Sequence, residues 1–122
     1  MNLKQIEIIS IPVNNQQIAK EFYQNILGFE LLADASFSEN MQWIQLAPST
    51  TSSVSIALVT WFEEMPPGSV QGLVIGTNKI EKDYQELIDK GITLSPIQDD
   101  PWGKSTTFKD PDGNGWVLQQ SR

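Results

Sequence analysis

Residues 11–29 have the sequence IPVNNQQIAKEFYQNILGF, which predicts the end of a strand, then a helix and its stop. The pair Asn14-Asn15 has the residue type that caps the first turn of a helix. Apolar residues then recur at helical spacing from Gln16 to Leu27, and Gly28 can adopt the left-handed conformation that ends a helix. The branched residues from Leu3 to Val13 favour a strand. We therefore expect a strand followed by a helix.

Three more strand-like segments follow this helix, separated by polar turn residues. They are Phe29 to Ala33, Met41 to Ala47 and Val54 to Thr60. The first half of the chain therefore predicts the element order βαβββ. The segment Glu63-Glu64-Met65-Pro66-Pro67-Gly68 then interrupts every periodic pattern, as expected of a linker.

The same order repeats in the second half, where Gly91 ends a second helix 63 positions after Gly28. A strand from Val70 to Thr77 precedes this helix, and Asn78 is its candidate cap. The extended segments after it are Ile92 to Leu94, Ser105 to Lys109 and Gly115 to Gln120, with an Asp112-Gly113 turn before the last one. We expect one α+β domain, residues 1–122, with module one at 1–62, a linker at 63–69 and module two at 70–122.

The composition limits the classes of partner. The chain has 8 Lys plus Arg against 15 Asp plus Glu, a formal charge of -7, and its basic residues are scattered singly. Nucleic acids and anionic membranes require focused positive charge, so we expect neither as a partner. No stretch approaches the roughly 20 apolar residues of a membrane span, and the start lacks a secretory pattern, which favours the cytoplasm. Histidine and cysteine are both absent, which excludes the usual nitrogen and sulfur ligands of a transition metal.

Several motifs add to the repeated pattern. The most specific are Leu27-Gly28-Phe29 and the turn Asp110-Pro111-Asp112-Gly113-Asn114 followed by Gly115-Trp116. Together with two tandem βαβββ units, they resemble the vicinal oxygen chelate superfamily, which includes glyoxalase I, extradiol dioxygenases and the bleomycin and fosfomycin resistance proteins. Pro101-Trp102-Gly103 also resembles a bacterial branch of this family. The resemblance implies a curved mixed sheet around a cavity, helices on the outer face, and a homodimer.

The resemblance also implies where a metal would lie. Metal-dependent members place two His and two Glu, or a close variant, on four strands, and these positions fall on Ile8, Ala57, Gly72 and Val117 in this chain. None of these side chains can bind a metal, and no register supplies a histidine. We therefore expect no metal and no other cofactor.

Strand alternation extends these four positions to a whole face, because successive side chains point to opposite sides. This face is mostly apolar, and its polar and aromatic members, with two aromatic residues expected at its mouth, are the candidate ligand-binding residues. They are Ser10, Trp43, Gln45, Ser55, Trp61, Trp102 and Gln119. Indole rings stack on planar ligands and attract cations, so we expect a planar or cationic small molecule. Packing of Trp43 and Trp61 at a dimer interface is the alternative.

Three functions stay open. The first is a metal-free small-molecule binding protein of the glyoxalase/bleomycin-resistance type, which sequesters or senses a drug or metabolite. The second is an enzyme related to the lyases, isomerases or dioxygenases of the family, acting through Gln119, Gln45 or a carboxylate, or at a divergent metal site. The third is a structural or interaction module. We favour the first and assign no catalytic residue, because the chain lacks the histidine and cysteine that usually activate or supply a nucleophile.

Overall fold

The computed structural model describes residues 1–39 and 41–122. Over these residues the chain forms eight β-strands, two α-helices and one π-helical turn. In chain order they are β1 (Ile8–Pro12), α1 (Gln16–Glu21), the π-helical turn (Phe22–Ile26), β2 (Glu30–Ser38), β3 (Met41–Ala47), β4 (Ser55–Val59), β5 (Leu73–Gly76), α2 (Ile80–Asp89), β6 (Gln98–Asp100), β7 (Gly103–Lys109) and β8 (Gly115–Ser121). Within the described ranges, no helix is long and apolar enough to cross a membrane.

The elements divide between two compact units, Met1–Pro67 and Gly68–Arg122. Each unit has one four-stranded mixed sheet, with strand order β1-β4-β3-β2 in the first and β5-β8-β7-β6 in the second. In both sheets the first strand of the unit pairs in parallel with its last strand, and the other pairs are antiparallel. This arrangement confirms the predicted α+β class and the repeated βαβββ order.

The core of the first unit lies between α1 and one face of its sheet. Asn15 caps α1 as predicted, since its Oδ1 accepts the backbone N–H groups of Gln17 and Ile18 at 3.0 Å each. Ala19 of α1 and Tyr23 of the π-helical turn are fully buried. Fully buried residues of the sheet are Ile11, Ile44, Leu46 and Leu58. Each such side chain contributes about 1.5–3 kcal/mol through burial, so this layer fixes which sheet face turns inward.

The second unit follows the same scheme. Ile80 and Leu87 of α2 are buried, and so are Phe108, Trp116 and Leu118 of the sheet. Phe108 and Trp116 face each other across β7 and β8, as one cross-strand pair. Trp116 is therefore a core residue, as the alternating pattern predicts.

The turn from Asp110 to Asn114 joins β7 to β8 and is held by hydrogen bonds between its own residues. Asp110 Oδ1 accepts the N–H groups of Asp112 and Asn114 at 2.9 Å each, and Asn114 Nδ2 donates to Asp110 Oδ2 at 2.9 Å. Asn114 Oδ1 also accepts the N–H of Val70 at 3.2 Å. The predicted turn is confirmed, and its asparagine holds the segment that leads into β5.

One predicted strand of the second unit is wrong. Residues Ile92–Leu94 are not a strand, and the edge strand that pairs with β7 is Gln98–Asp100. Pro96 lacks the N–H that a strand ladder needs, so regular pairing begins only after it. The acidic pair Asp99-Asp100 consequently lies in a strand.

The predicted cap of α2, Asn78, is also wrong. The N–H of Ile80 donates to Gln120 Oε1 at 2.8 Å, and the N–H of Lys79 donates to Thr77 Oγ1 at 3.1 Å. Because Gln120 belongs to β8, the acceptor at this helix start is distant in sequence. Spacing along the chain therefore gave no indication of it.

The bounds of β3 agree with the prediction, whereas those of β2 differ from it. β3 has the predicted bounds, Met41–Ala47, but β2 extends to Ser38 rather than ending at Ala33. β2 is an edge strand with irregular register, and most of its residues are exposed. Its polar residues can therefore face solvent while its backbone pairs with β3, which explains why a polar segment continues the strand.

Candidate ligand-binding site

Four candidate residues of the first unit lie on the sheet face opposite its buried core. Ser10 of β1 and Gln45 of β3 both pair with Ala57 of β4, so the three form one row across the sheet. Ile8 and Ser55 form the neighbouring row. Side chains in a cross-strand row point to the same side, so Ser10, Gln45 and Ser55 share a face. Trp43 belongs to it as well, two residues before Gln45 on the same strand.

An aromatic cluster, consisting of Trp43, Trp61 and Phe62, lies beside this row. The Trp43 and Trp61 ring centroids are 6.3 Å apart with an interplanar angle of 28°, and those of Trp61 and Phe62 are 6.2 Å apart at 50°. Both tryptophans are half-buried, and Phe62 is 49% exposed. The cluster therefore presents accessible aromatic surface next to hydrogen-bonding groups.

A polar relay of hydrogen bonds connects Trp43 of the aromatic cluster to the backbone of Glu7, directly before β1. Trp43 Nε1 donates to Gln45 Oε1 at 3.0 Å, and Gln45 Nε2 donates to Ser55 Oγ at 2.8 Å. Ser55 is 6% exposed, and its Oγ donates to the carbonyl oxygen of Glu7 at 3.3 Å. Each bond contributes about 0.5–1.5 kcal/mol and limits side-chain rotation. The relay thus fixes the orientation of the Trp43 ring.

Gln16 of α1 fixes the backbone beneath the aromatic cluster. Its Nε2 donates to the carbonyl oxygens of Gln42 at 2.6 Å and Leu58 at 2.8 Å. Gln42 directly precedes Trp43 on β3, and Leu58 lies on β4 three residues before Trp61. One side chain therefore ties β3, which holds Trp43, to β4, which ends two residues before Trp61.

The other two candidate residues, Trp102 and Gln119, lie in the second unit. Trp102 lies in the turn between β6 and β7 and is 72% exposed. Gln119 of β8 is half-buried, pairs with Gly76 and Ser105, and donates from Nε2 to Ser121 Oγ at 3.2 Å. The contacts described for the aromatic cluster and the polar relay involve first-unit residues.

The four positions that the resemblance assigns to metal ligands have side chains that do not fit a metal. Ile8 lies on β1 and Ala57 on β4, but the two residues are not paired. The partner of Ile8 is Ser55, two residues before Ala57. Val117 pairs with Val74, two residues after Gly72, so the second unit repeats the offset. Gly72 has φ +79° and precedes β5, and Ala57 is completely buried. None of these four residues has a donor atom on its side chain.

Acidic side chains do not replace the missing ligands. Among residues 1–39 and 41–122, no three His, Cys, Asp or Glu side chains converge as a metal site requires. Neither the four assigned positions nor a carboxylate cluster among the described residues therefore offers the ligand set that the resemblance implies.

The two carboxyl groups with clearly lowered pKa values lie away from the candidate residues. Lys20 donates to Asp34 Oδ2 at 2.9 Å, and this bond, with a second from Gln42, holds the pKa of Asp34 below its ordinary value. A bond from Lys104 lowers the pKa of Glu81 on the exposed start of α2. Asp34 pairs with Ile44 and so lies on the α1 side of its sheet.

Sequence reasoning missed Phe62 and the backbone of Glu7. Phe62 follows Trp61 directly, and two adjacent aromatic residues before a linker were the available signal. The carbonyl oxygen of Glu7 accepts the N–H as well as the hydroxyl of Ser55. A main-chain acceptor has no residue type, so no pattern in the sequence could indicate it.

Comparisons with known proteins agree with the fold. The family model of the Glyoxalase/Bleomycin resistance protein/Dioxygenase superfamily matches residues 5–118. The Bacillus subtilis (strain 168) protein YetH is 30% identical, over 97% of this chain and 99% of its own.

Two solved structures from Streptomyces sp. CB03234 are also similar. TnmS3, an antibiotic binding protein, is 38% identical with a TM-score of 0.94, covering 100% of this chain and 99% of that one. A glyoxalase/bleomycin resistance protein is 39% identical with a TM-score of 0.85, covering 95% and 100%. This chain therefore belongs to the Glyoxalase/Bleomycin resistance protein/Dioxygenase superfamily.

Proposed function

We propose that this chain is a metal-free small-molecule binding protein, which sequesters a drug or metabolite at the aromatic cluster of its first unit. The observation that supports this most directly is the aromatic cluster, Trp43, Trp61 and Phe62, oriented by the polar relay. Accessible ring faces beside a few fixed polar groups are what recognition of a planar ligand requires. The similarity to an antibiotic binding protein over the whole chain favours the same class of function.

The chemistry of the polar relay favours binding over catalysis. A nucleophilic serine needs a neighbouring base, usually histidine. Ser55 instead donates to the carbonyl oxygen of Glu7 and accepts from the amide of Gln45, and neither group takes up a proton at neutral pH. The relay therefore orients groups without activating any of them.

The proposal includes a homodimer in the cytoplasm. The homodimer rests on the family resemblance, and the location fits the cysteine-free composition. Light scattering after size-exclusion chromatography should give twice the 13.7 kDa mass of the chain. A monomer at micromolar concentration would contradict the dimer but not the ligand site, since the cluster and relay lie within one unit.

A thermal-shift screen against planar antibiotics and metabolites tests the proposed function. A ligand present at 100 times its dissociation constant stabilises the folded protein by about 2.7 kcal/mol, so a true ligand produces a clear rise in melting temperature. The shift should disappear in Trp61→Ala and persist in Ile18→Ala, which changes an exposed residue of α1. Ligands whose shift survives in Trp61→Ala would move the site away from the aromatic cluster.

A further inference from the structure

The hydrogen bonds of the polar relay all run in one direction. The indole N–H of Trp43 is used by Gln45, one amide N–H of Gln45 is used by Ser55, and the hydroxyl of Ser55 is used by Glu7. An amide oxygen and a hydroxyl oxygen each have a second lone pair. Ser55 is only 6% exposed, so what the relay leaves for a ligand is the second lone pair of the half-buried Gln45 Oε1 and one remaining N–H of Gln45.

The aromatic cluster favours a positively charged guest. The faces of aromatic rings are electron-rich, and indole attracts a cation most strongly among the aromatic side chains. The 6.3 Å between the Trp43 and Trp61 centroids is less than the roughly 7 Å, twice a ~3.5 Å carbon contact, that a guest between two rings needs. A planar guest therefore stacks on the outer ring surface, where it meets a π face without separating the pair.

The charged residues of the first unit reinforce this polarity. Residues 1–67 contain seven Asp and Glu but only two basic residues, Lys4 and Lys20. Lys20 is paired with Asp34 on the α1 side of the sheet. Lys4 is exposed in the segment before β1. Neither lysine belongs to the aromatic cluster or the relay.

Two carboxylates are attached to the aromatic cluster itself. The N–H of Met65 donates to the carbonyl oxygen of Phe62 at 3.0 Å, which closes a turn with Glu63 and Glu64 at its corners. Both glutamates are exposed and follow Phe62 directly. They are one and two residues from Phe62, and charges separated by less than about one Debye length, ~8 Å in physiological salt, act on each other, so we expect both to act on a guest there.

We propose that the aromatic face selects a planar cation whose ring system has N–H donors, a choice that rests on the proposed function. Such a ligand places its positive π system on the accessible ring surface and an N–H group toward Gln45 Oε1. A planar anion meets electron-rich ring faces and two carboxylates, and the donors on this face are the remaining N–H of Gln45 and the hydroxyl of Ser10. The selectivity thus follows from the rings and the charge together.

Three planar three-ring probes test the charge preference at matched size. They are 9-aminoacridine, a cation with N–H donors at neutral pH, neutral acridone, and anionic anthraquinone-2-sulfonate. Quenching of tryptophan fluorescence should give a dissociation constant for 9-aminoacridine at least tenfold lower than for the sulfonate, with acridone between them. Raising the salt from about 0.01 to 0.1 M shortens the Debye length from about 30 to 10 Å and should weaken binding of the cation only.

Variants separate the preference for a cation from the proposed function itself. Glu63→Gln with Glu64→Gln should weaken 9-aminoacridine by about two- to fivefold and leave acridone unchanged, whereas Glu21→Gln on α1 should change neither. If acridone and the sulfonate bind as tightly as the cation, and Trp61→Ala abolishes all three, the charge preference is wrong and the proposed function stands. If none of the three binds while another planar compound passes the Trp61→Ala test, the cation preference is again wrong. If no planar compound binds at all, the proposed function fails together with this inference.

Discussion

Replacing Gln45 with methionine tests the polar relay, because methionine keeps the shape of the side chain and removes its amide. The variant loses the bond from Trp43 and the bond to Ser55. At about 0.5–1.5 kcal/mol each, it should lower the free energy of unfolding by about 1–3 kcal/mol. Ser55→Ala loses the same Gln45 bond and the longer one to Glu7, at 3.3 Å, so it should lose about 1–2 kcal/mol.

The two changes should not add, because both remove the bond between Gln45 and Ser55. Urea denaturation followed by circular dichroism on wild type, both single variants and the double variant gives the coupling. We expect the double variant to be more stable than the sum of the single changes predicts, by about 1 kcal/mol. A cycle of Gln45→Met with Lys82→Ala, an exposed residue of α2, is the control and should be additive within about 0.3–0.5 kcal/mol. Additivity of Gln45→Met and Ser55→Ala to the same degree would refute the relay.

Three further predictions concern the stability of the two units. Asn114→Ala removes the acceptor for Val70 and a partner of Asp110 in a fully buried position, so urea denaturation should show a loss of about 2–4 kcal/mol, and a change below 1 kcal/mol would contradict the role of this turn. Gly68→Ala places a Cβ against the Asp112 carbonyl oxygen at φ +86°, so its melting temperature should fall clearly, whereas Gly76→Ala, with open space around it, serves as the mild comparison. The pKa of Asp34 lies below its ordinary value of 3.8, so its bond with Lys20 stabilises the protein above about pH 4. This contribution is lost as the pH falls through the lowered pKa. Asp34→Asn should therefore be less stable than wild type at pH 7, and the difference should vanish in strong acid.

The sequence was informative where local patterns decide the structure. Residues 11–29 showed the strand, the Asn15 cap and the helix, because each depends on neighbours a few positions away. Alternation along the strands likewise separated the buried Ile44 and Leu46 from Trp43 and Gln45. Once a helix covers one face of a sheet, every second residue of a strand must point to the other face.

Other features depend on partners that are distant along the chain. β6 begins after Pro96 because β7 offers its edge there, and the start of α2 is held by Gln120 of β8. The alternation of side chains between the two sheet faces also fails at Gly72, where a positive φ precedes β5. The face assigned to a residue before Gly72 therefore does not predict the face of the residues after it. The π-helical turn Phe22–Ile26, within the predicted helix, has no signal in apolar spacing.

The metal positions give the clearest contrast between resemblance and local chemistry. The resemblance assigns four places to a metal, and the register describes three of them, because Gly72 lies before β5. At those places the chain has Ile8, Ala57, Gly72 and Val117. The similarity of fold therefore does not bring metal-binding side chains with it, and we propose binding by the aromatic cluster instead.

Calorimetric titration of 9-aminoacridine into wild type and Trp61→Ala tests the aromatic site most directly. We expect saturable binding to wild type and at least a tenfold loss of affinity, about 1.4 kcal/mol, when the Trp61 indole is removed, with Ile18→Ala unchanged. Circular dichroism must first show that both variants keep the wild-type fold. Equal affinity of wild type and folded Trp61→Ala would contradict the claim that the aromatic cluster forms the ligand site.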